Sequence, residues 1–185
     1  LKNFLSSPGR VGAIAPSSPA LVRVMMGWFD WANAGHIVEY GPGTGVFTEG
    51  IQRHRRDDSQ FFAVEFSPDL AASTRKRCPD VDVIEGSAAD IESLCESRQM
   101  PHIDALVCGL PWATFPVSLQ DAIMDATLKM LRPGGQFATF TYIQSRVMPA
   151  SGVFVKRLQS RFSQVERSPI AWRNLPPAFV YRCTK

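Results

Sequence analysis

Five short apolar runs, each followed by a helix-like segment, set the tightest limit on what this chain can fold into. The runs are HIVEY (36–40), FFAVEF (61–66), VDVIE (81–85), IDALVCGL (103–110) and QFATFTY (136–142). Each has the length and the β-branched or aromatic content of a strand covered on both faces. Between them the spacing predicts helices from Gly45 to about Arg56, from Ser67-Pro68 to Cys78-Pro79, over Ala89–Glu96, up to LRPGG (131–135), and around Val153–Arg161. Strands separated by helices are joined by crossovers, so the sheet should be largely parallel with helices on both faces. Two last runs, SQVERSPIA and AFVYRCT, have no helix between them and are joined by WRNLPP (172–177). They predict a terminal hairpin that adds one antiparallel strand to an α/β sheet of seven.

Residues 1–17 are rich in Ser, Pro and Gly and read as an irregular lead-in. Ser18 has the character of a helix N-cap with Pro19 at the first helical position, opening a helix through PALVRVMMGWFDWA (19–32). A length of 185 residues suits one domain: a segment and helix over 1–33, and a core over 34–185. The chain opens at Leu1, so further residues are expected upstream. A net charge of +3 is too weak to argue for nucleic acid, although it does not oppose an anionic membrane. No apolar run has the length of a membrane span and no signal peptide is visible. The four cysteines, Cys78, Cys95, Cys108 and Cys183, lack CxxC spacing, so reduced cytoplasmic thiols and no metal centre are expected.

The first strand runs into GPGTG (41–45). Gly41 and Gly43 permit positive φ and close approach of a ligand to the backbone. The third glycine of a dinucleotide fingerprint is missing, because its position holds Val46, and Gly-Lys-Ser/Thr of a phosphate loop is absent too. Glu65, at the carboxyl end of the second strand, can accept hydrogen bonds from both hydroxyls of a ribose. A plain tight turn and a solvated strand-end acid are the alternatives. Together, on consecutive βα units, the two features favour an adenosine-type ligand.

VEYGPGTGVFT, AVEFSP, VIEGSAADI and LRPGGQF, in that order, resemble the motif set of class I S-adenosylmethionine-dependent methyltransferases. The resemblance covers most of the chain and implies a Rossmann-like fold and S-adenosylmethionine as cofactor, with S-adenosylhomocysteine as product. It implies that the loop of Gly41, Gly43 and Gly45 lies beneath the methionine part, that Glu65 binds the ribose, and that Ser87 and Ala88 border the adenine. Many relatives carry Asp where Ser87 stands, which leaves the Ala88 backbone as the contact to the adenine edge. Glu39 matches an acid that faces the cofactor's amino end; a buried acid capping loop amides is the other reading.

CGLPWATFP (108–116) follows the fourth strand and resembles the Asn-Leu-Pro-aromatic segment of ribosomal RNA adenine-N6 dimethylases, with Gly109 in place of the Asn. What remains is a carbonyl near Leu110, Pro111, and the ring of Trp112, which suits a small amine. Alternatively, Trp112 packs under the next helix. GRVGAIAPSS (9–18), TFTY (139–142) and WRNLPPAFVY (172–181) resemble soluble bacterial phospholipid N-methyltransferases, which act on phosphatidylethanolamine, with relatives acting on ornithine lipids. That resemblance places Ser17 near the cofactor carboxylate, unless it serves as a helix cap, and Asn174 near the acceptor pocket. Tyr142 is the candidate to bond the amine or a head-group oxygen, or is a tyrosine at a sheet edge. With AFVYRCT as the seventh strand and few residues after it, the helical domain with which the dimethylases grip RNA is not expected. Arg53, Arg55, Arg56 and the cluster Arg75, Lys76 and Arg77 read as a solvated rim.

The expected protein is therefore a cytoplasmic, peripherally membrane-associated N-methyltransferase of a lipid head-group amine such as that of phosphatidylethanolamine. Its expected partners are that amine and an anionic membrane surface, without nucleic acid. An RNA dimethylase-like or small-amine enzyme, and a methyltransferase fold kept as an interaction module, are the alternatives. The module would be marked by lost glycines or a lost ribose acid, and neither is seen.

Overall fold

The computed structural model describes residues 17–147 and 149–185. GRVGAIAP of the N-terminal motif, and the rest of the lead-in before Ser17, lie outside the described residues. Helix α1 (Pro19–Met26) starts as expected: the Ser18 hydroxyl accepts the Leu21 amide at 3.3 Å, and Pro19 follows. It stops at Gly27, well short of Ala32. Trp31 turns back to donate its indole N–H to the Met26 carbonyl at 2.8 Å, and Trp28, Phe29 and Trp31 pack ring against ring. Aromatic packing has overridden the apolar continuity that suggested a longer helix.

Strand and helix then alternate: β1 (His36–Tyr40), α2 (Val46–His54), β2 (Gln60–Glu65), α3 (Pro68–Arg77) and β3 (Asp82–Glu85). A 3-10 turn at Ala88–Asp90 leads into α4 (Ile91–Glu96), followed by β4 (Ile103–Cys108), α5 (Val117–Met130) and β5 (Leu131–Tyr142). The chain closes with α6 (Pro149–Arg161), β6 (Gln164–Arg167) and β7 (Ala178–Thr184). The sheet order is β3-β2-β1-β4-β5-β7-β6. β1, β2, β3, β4 and β5 are parallel, and β7 runs antiparallel between β5 and β6. This is the Rossmann-like sheet with an antiparallel terminal strand that the sequence predicts. β5 is longer than expected because LRPGG belongs to it: Leu131 pairs with Ile103, and pairing resumes with Gln136 opposite Ala105.

Tyr40, Leu106 and Phe137 face one core with α4, α5 and α6, whereas Ile37, Ala105 and Ala138 face the other with α1 and α2. Side chains alternate across the strands, so neighbouring residues serve opposite layers. Strand order reverses between β1 and β4, and the loops that follow them leave the same carboxyl edge. The loop from Ser168 to Pro177 reaches this edge too, because Ala178 at the start of β7 lies opposite Tyr142 at the end of β5.

Candidate active site

The loop after β1 is held in a shape that side chains resist. Gly41 has φ 63°, and a Cβ there would stand 3.0 Å from Leu110 Cδ2. Gly45, at φ 78°, turns the chain into α2. Gly43, at φ 59°, differs: a Cβ there would meet nothing within 4 Å, so open ground lies beside it. Thr74 of α3 pins the loop by donating to the Gly43 carbonyl at 2.8 Å.

Glu65 is buried at the end of β2 and binds both flanking loops. Its Oε2 accepts the Gly43 amide at 3.1 Å, and its Oε1 accepts the Ser67 amide at 3.0 Å. A carboxylate offers about four lone-pair positions, so two remain for a ligand.

Glu39 sits deeper, on β1, and neither of its oxygens has a hydrogen-bond partner. Burial raises its pKa to about 8, with the charge of Glu65 adding to the effect. The Thr48 hydroxyl on α2 is close enough to work the other way, yet it too is buried and no hydrogen bond closes between them. An unpartnered buried carboxyl is costly, so a cation or donor arriving beside Glu39 would be stabilised there.

The remaining residues divide into those at the edge and those in the core. Ser87 spends its hydroxyl on the Ala89 amide at 3.2 Å as an N-cap, with Ala88 buried beside it. Gly109 donates to the Tyr40 carbonyl at 2.7 Å, and a Cβ on it would fall 2.5 Å from the Gly41 carbonyl oxygen. The glycine at this position therefore lets the loops after β1 and β4 touch. Leu110 packs over Gly41, and its carbonyl already accepts the Trp112 amide at 3.0 Å; the Pro111 carbonyl binds Thr114.

Trp112 corrects the expectation of an open aromatic wall. It is only 5% exposed, stacks on Phe154 at 5.2 Å, meets Phe115 and Phe137 edge-on, and donates its indole N–H to Thr139 at 3.1 Å. A large ring with a satisfied N–H between two layers is a core residue. Asn174 is likewise committed: its Oδ1 accepts the Ser18 amide at 2.9 Å and its Nδ2 donates to the Pro176 carbonyl at 2.7 Å. It thereby holds the segment of Ser17 and Ser18 against the loop before β7.

Tyr142 is half-buried at the edge, its phenol pKa raised by burial, and its hydroxyl has no hydrogen-bond partner among the described residues. Phe140 meets it edge-on at 5.6 Å and reaches Phe47 of α2 at 5.6 Å, so aromatic rings run from β5 to the glycine loop. Sequence reasoning passed over Phe47, Phe140 and Thr48. All three lie inside quoted motifs, Phe47 and Thr48 at the end of VEYGPGTGVFT and Phe140 within TFTY, but two phenylalanines and a threonine there have the same local pattern as ordinary core. The basic rim is largely paired as a solvated surface should be: Arg53 and Arg77 share Glu49, Arg56 meets Asp58, and Arg75 meets Glu85.

Residues 37–135 match the family model described as a methyltransferase domain. The chain is 32% identical over 186 aligned residues to an ornithine lipid N-methyltransferase of Singulisphaera acidiphila, covering 99% of this chain and 93% of that protein. Among solved structures, the N-methyltransferase NodS of Bradyrhizobium japonicum with S-adenosyl-L-homocysteine aligns with TM-score 0.72 at 15% identity, over 99% of this chain and 98% of that one. An O-methyltransferase from Bacillus cereus with the same ligand aligns with TM-score 0.74 at 16% identity, over 100% and 90%. Neighbours this distant share the fold, and both N- and O-acceptors occur among them.

Proposed function

Since this chain belongs to the class I S-adenosylmethionine-dependent methyltransferases, we propose that its acceptor is the amine of a membrane-lipid head group, that of phosphatidylethanolamine or of an ornithine lipid. The observation that carries this reading is the near full-length similarity to an ornithine lipid N-methyltransferase. The enzyme would work at a membrane surface without crossing it; no helix among the described residues is long and apolar enough to span one.

The residues fit the cofactor. Open ground beside Gly43 admits a ligand against the backbone, and the bare carboxyl of Glu39 awaits a cation such as an α-ammonium. S-adenosylmethionine supplies a methyl group on a sulfonium, an electrophile with a good leaving group already in place. Glu65 would accept from the ribose hydroxyls with its two open lone-pair positions while its other two hold the loops. Glu39 would ionise as the ammonium arrives, since a neighbouring cation favours the charged form. Ser87 and Ala88 would border the adenine.

The acceptor amine must attack without its extra proton, and a lipid ammonium has an ordinary pKa of about 10. Leu110 and Gly109 place backbone directly above the glycine loop, and Tyr142 with Phe140 walls the adjoining side. Desolvation there lowers an amine's pKa, and Tyr142, neutral at physiological pH, can accept from the ammonium or donate to a head-group oxygen. The three histidines lie elsewhere: His36 begins β1, His102 precedes β4, and His54 ends α2. With no imidazole at this edge, the proton leaves to water. Alignment and desolvation are the catalytic contributions left to the protein.

The test is incubation with radiolabelled S-adenosylmethionine and, in parallel, a total lipid extract, total RNA and a panel of soluble amines. Label in a lipid fraction that comigrates with N-methylated amine supports the reading. Label confined to RNA or soluble amine overturns it.

A further inference from the structure

Exposed apolar side chains are common on protein surfaces and ordinarily scatter singly. Here the five large ones exposed among the described residues, Phe66, Val117, Val153, Trp172 and Leu175, gather at one edge of the sheet. Phe66 follows the end of β2, Val117 opens α5 beyond β4, and Val153 lies near the start of α6 beyond β5. Trp172 and Leu175 occupy the loop that enters β7 opposite the end of β5. This is the carboxyl edge, where Glu65, Gly43 and Tyr142 stand.

Trp172 and Leu175 protrude most, at 71% and 79% exposed. Their backbone is braced. Ala171 bridges to Ala178, the Asn174 amide donates to the Ala171 carbonyl at 3.0 Å, and the Asn174 side chain ties the turn to Ser18 and Pro176. A turn fixed in this way holds two large apolar groups in water rather than folding them inward. Arg173 lies between them and Arg167 ends the adjacent β6; both are exposed, and neither is ion-paired with an acid among the described residues, a state shared with Arg23, Arg55 and Arg182 but not with Arg53, Arg56, Arg75, Arg77, Arg98, Arg132, Arg157 and Arg161. A tryptophan, an aliphatic side chain and unpaired guanidinium groups on one rigid turn match the apolar boundary and anionic phosphates of a bilayer surface.

We propose that the Trp172–Leu175 turn is a membrane hook that seats the carboxyl edge on an anionic bilayer. Trp172 and Leu175 enter the boundary between head groups and acyl chains, Arg173 and Arg167 contact lipid phosphates, and Val117 and Val153 flank the contact. The proposal rests on the lipid-amine reading above and adds to it where the protein touches the membrane.

The test uses the full chain and vesicles of phosphatidylethanolamine and phosphatidylglycerol with brominated acyl chains. Trp172 emission is taken as the difference between wild type and Trp172→Phe. Bromine should quench that difference signal, and Trp172→Ala with Leu175→Ala should lower vesicle partitioning at least about tenfold. Methyl transfer by the double variant to the same lipid dispersed in detergent should stay within about twofold of wild type, because neither side chain is in the catalytic machinery. Unquenched Trp172 on vesicles that bind the protein overturns the hook, as does wild-type partitioning by the double variant. So does a dimer-to-monomer shift in elution without loss of vesicle binding, which would make the turn a contact between copies. Emission already blue-shifted and lipid-insensitive would mean that residues before Ser17 cover it, and this too overturns the hook. If the double variant folds poorly, quenching of the Trp172 signal decides alone. Absence of lipid methylation in detergent by wild type would instead defeat the lipid-amine reading, leaving the binding result to stand separately.

Discussion

The carboxylate of Glu65 accepts the amide of Gly43 at 3.1 Å, so the acid that ends β2 also fixes the bend that follows its neighbour β1. One side chain thus shapes the loop and offers lone pairs to whatever lies above it. Glu65→Ala should weaken both S-adenosylmethionine and S-adenosylhomocysteine, with each charge-assisted hydrogen bond lost costing about 1.5–3 kcal/mol, roughly ten- to a hundredfold in affinity. Glu65→Gln, which keeps one carbonyl oxygen, should fall between the two. Calorimetric titration reads both, and wild-type affinity in Glu65→Ala would remove Glu65 from the site.

Glu39 makes the unliganded protein sensitive to pH. Its folded pKa of about 8 lies above the ordinary carboxyl value of 4.5. The unfolded chain therefore binds fewer protons than the native one between these values, and stability contributed by neutral Glu39 is lost as pH rises toward 8 and through it. Glu39→Gln should flatten that slope in denaturant titrations. The same ionisation predicts that S-adenosylhomocysteine binding at pH 7 releases a proton and tightens as pH rises toward 8. Calorimetry in buffers of different ionisation enthalpy measures the release; none in wild type would mean that Glu39 does not meet the ligand's ammonium.

Trp112, buried between β4, β5 and α6, should behave as core. Trp112→Ala should cost about 3–5 kcal/mol of stability. Trp112→Phe, which keeps the stack on Phe154 but loses the bond to Thr139, should cost less. Thermal unfolding separates this from a substrate role: a Trp112→Ala protein of wild-type melting temperature and reduced turnover would restore the ring to the acceptor pocket.

Gly109→Ala probes the contact between the two loops. Its methyl would press on the Gly41 carbonyl, so the variant should lose about 1–3 kcal/mol of stability, with cofactor affinity falling alongside as the glycine loop shifts. Unchanged melting and binding would show that the two loops do not need this approach.

The sheet, its parallel order and the antiparallel last strand were legible in the sequence because alternating apolar runs and helix signals leave few ways to connect them. Glu65 and the glycine bend were legible because adjacent βα units bring them to one edge. Trp112 was not, since a tryptophan after a strand has the same local pattern whether it faces ligand or core, and only Phe154 and Thr139, distant in the chain, decide between them. Gly109 was legible as a departure from the dimethylase segment, but its cause, the Gly41 carbonyl beneath it, appears only in three dimensions. Asn174 shows the same limit: its side chain serves Ser18, 156 positions away.

The central claim, that the edge built by Glu65, Gly43 and Tyr142 methylates a lipid amine, is tested most directly by mass spectrometry of defined lipids. Phosphatidylethanolamine and ornithine-lipid vesicles are incubated with the full chain and S-adenosylmethionine, with Glu65→Ala as the control. The account predicts methyl increments on the head-group amine of at least one lipid, strongly reduced in the control. Unmodified lipids in both cases, together with efficient methylation of RNA or a soluble amine by the same preparation, would contradict it.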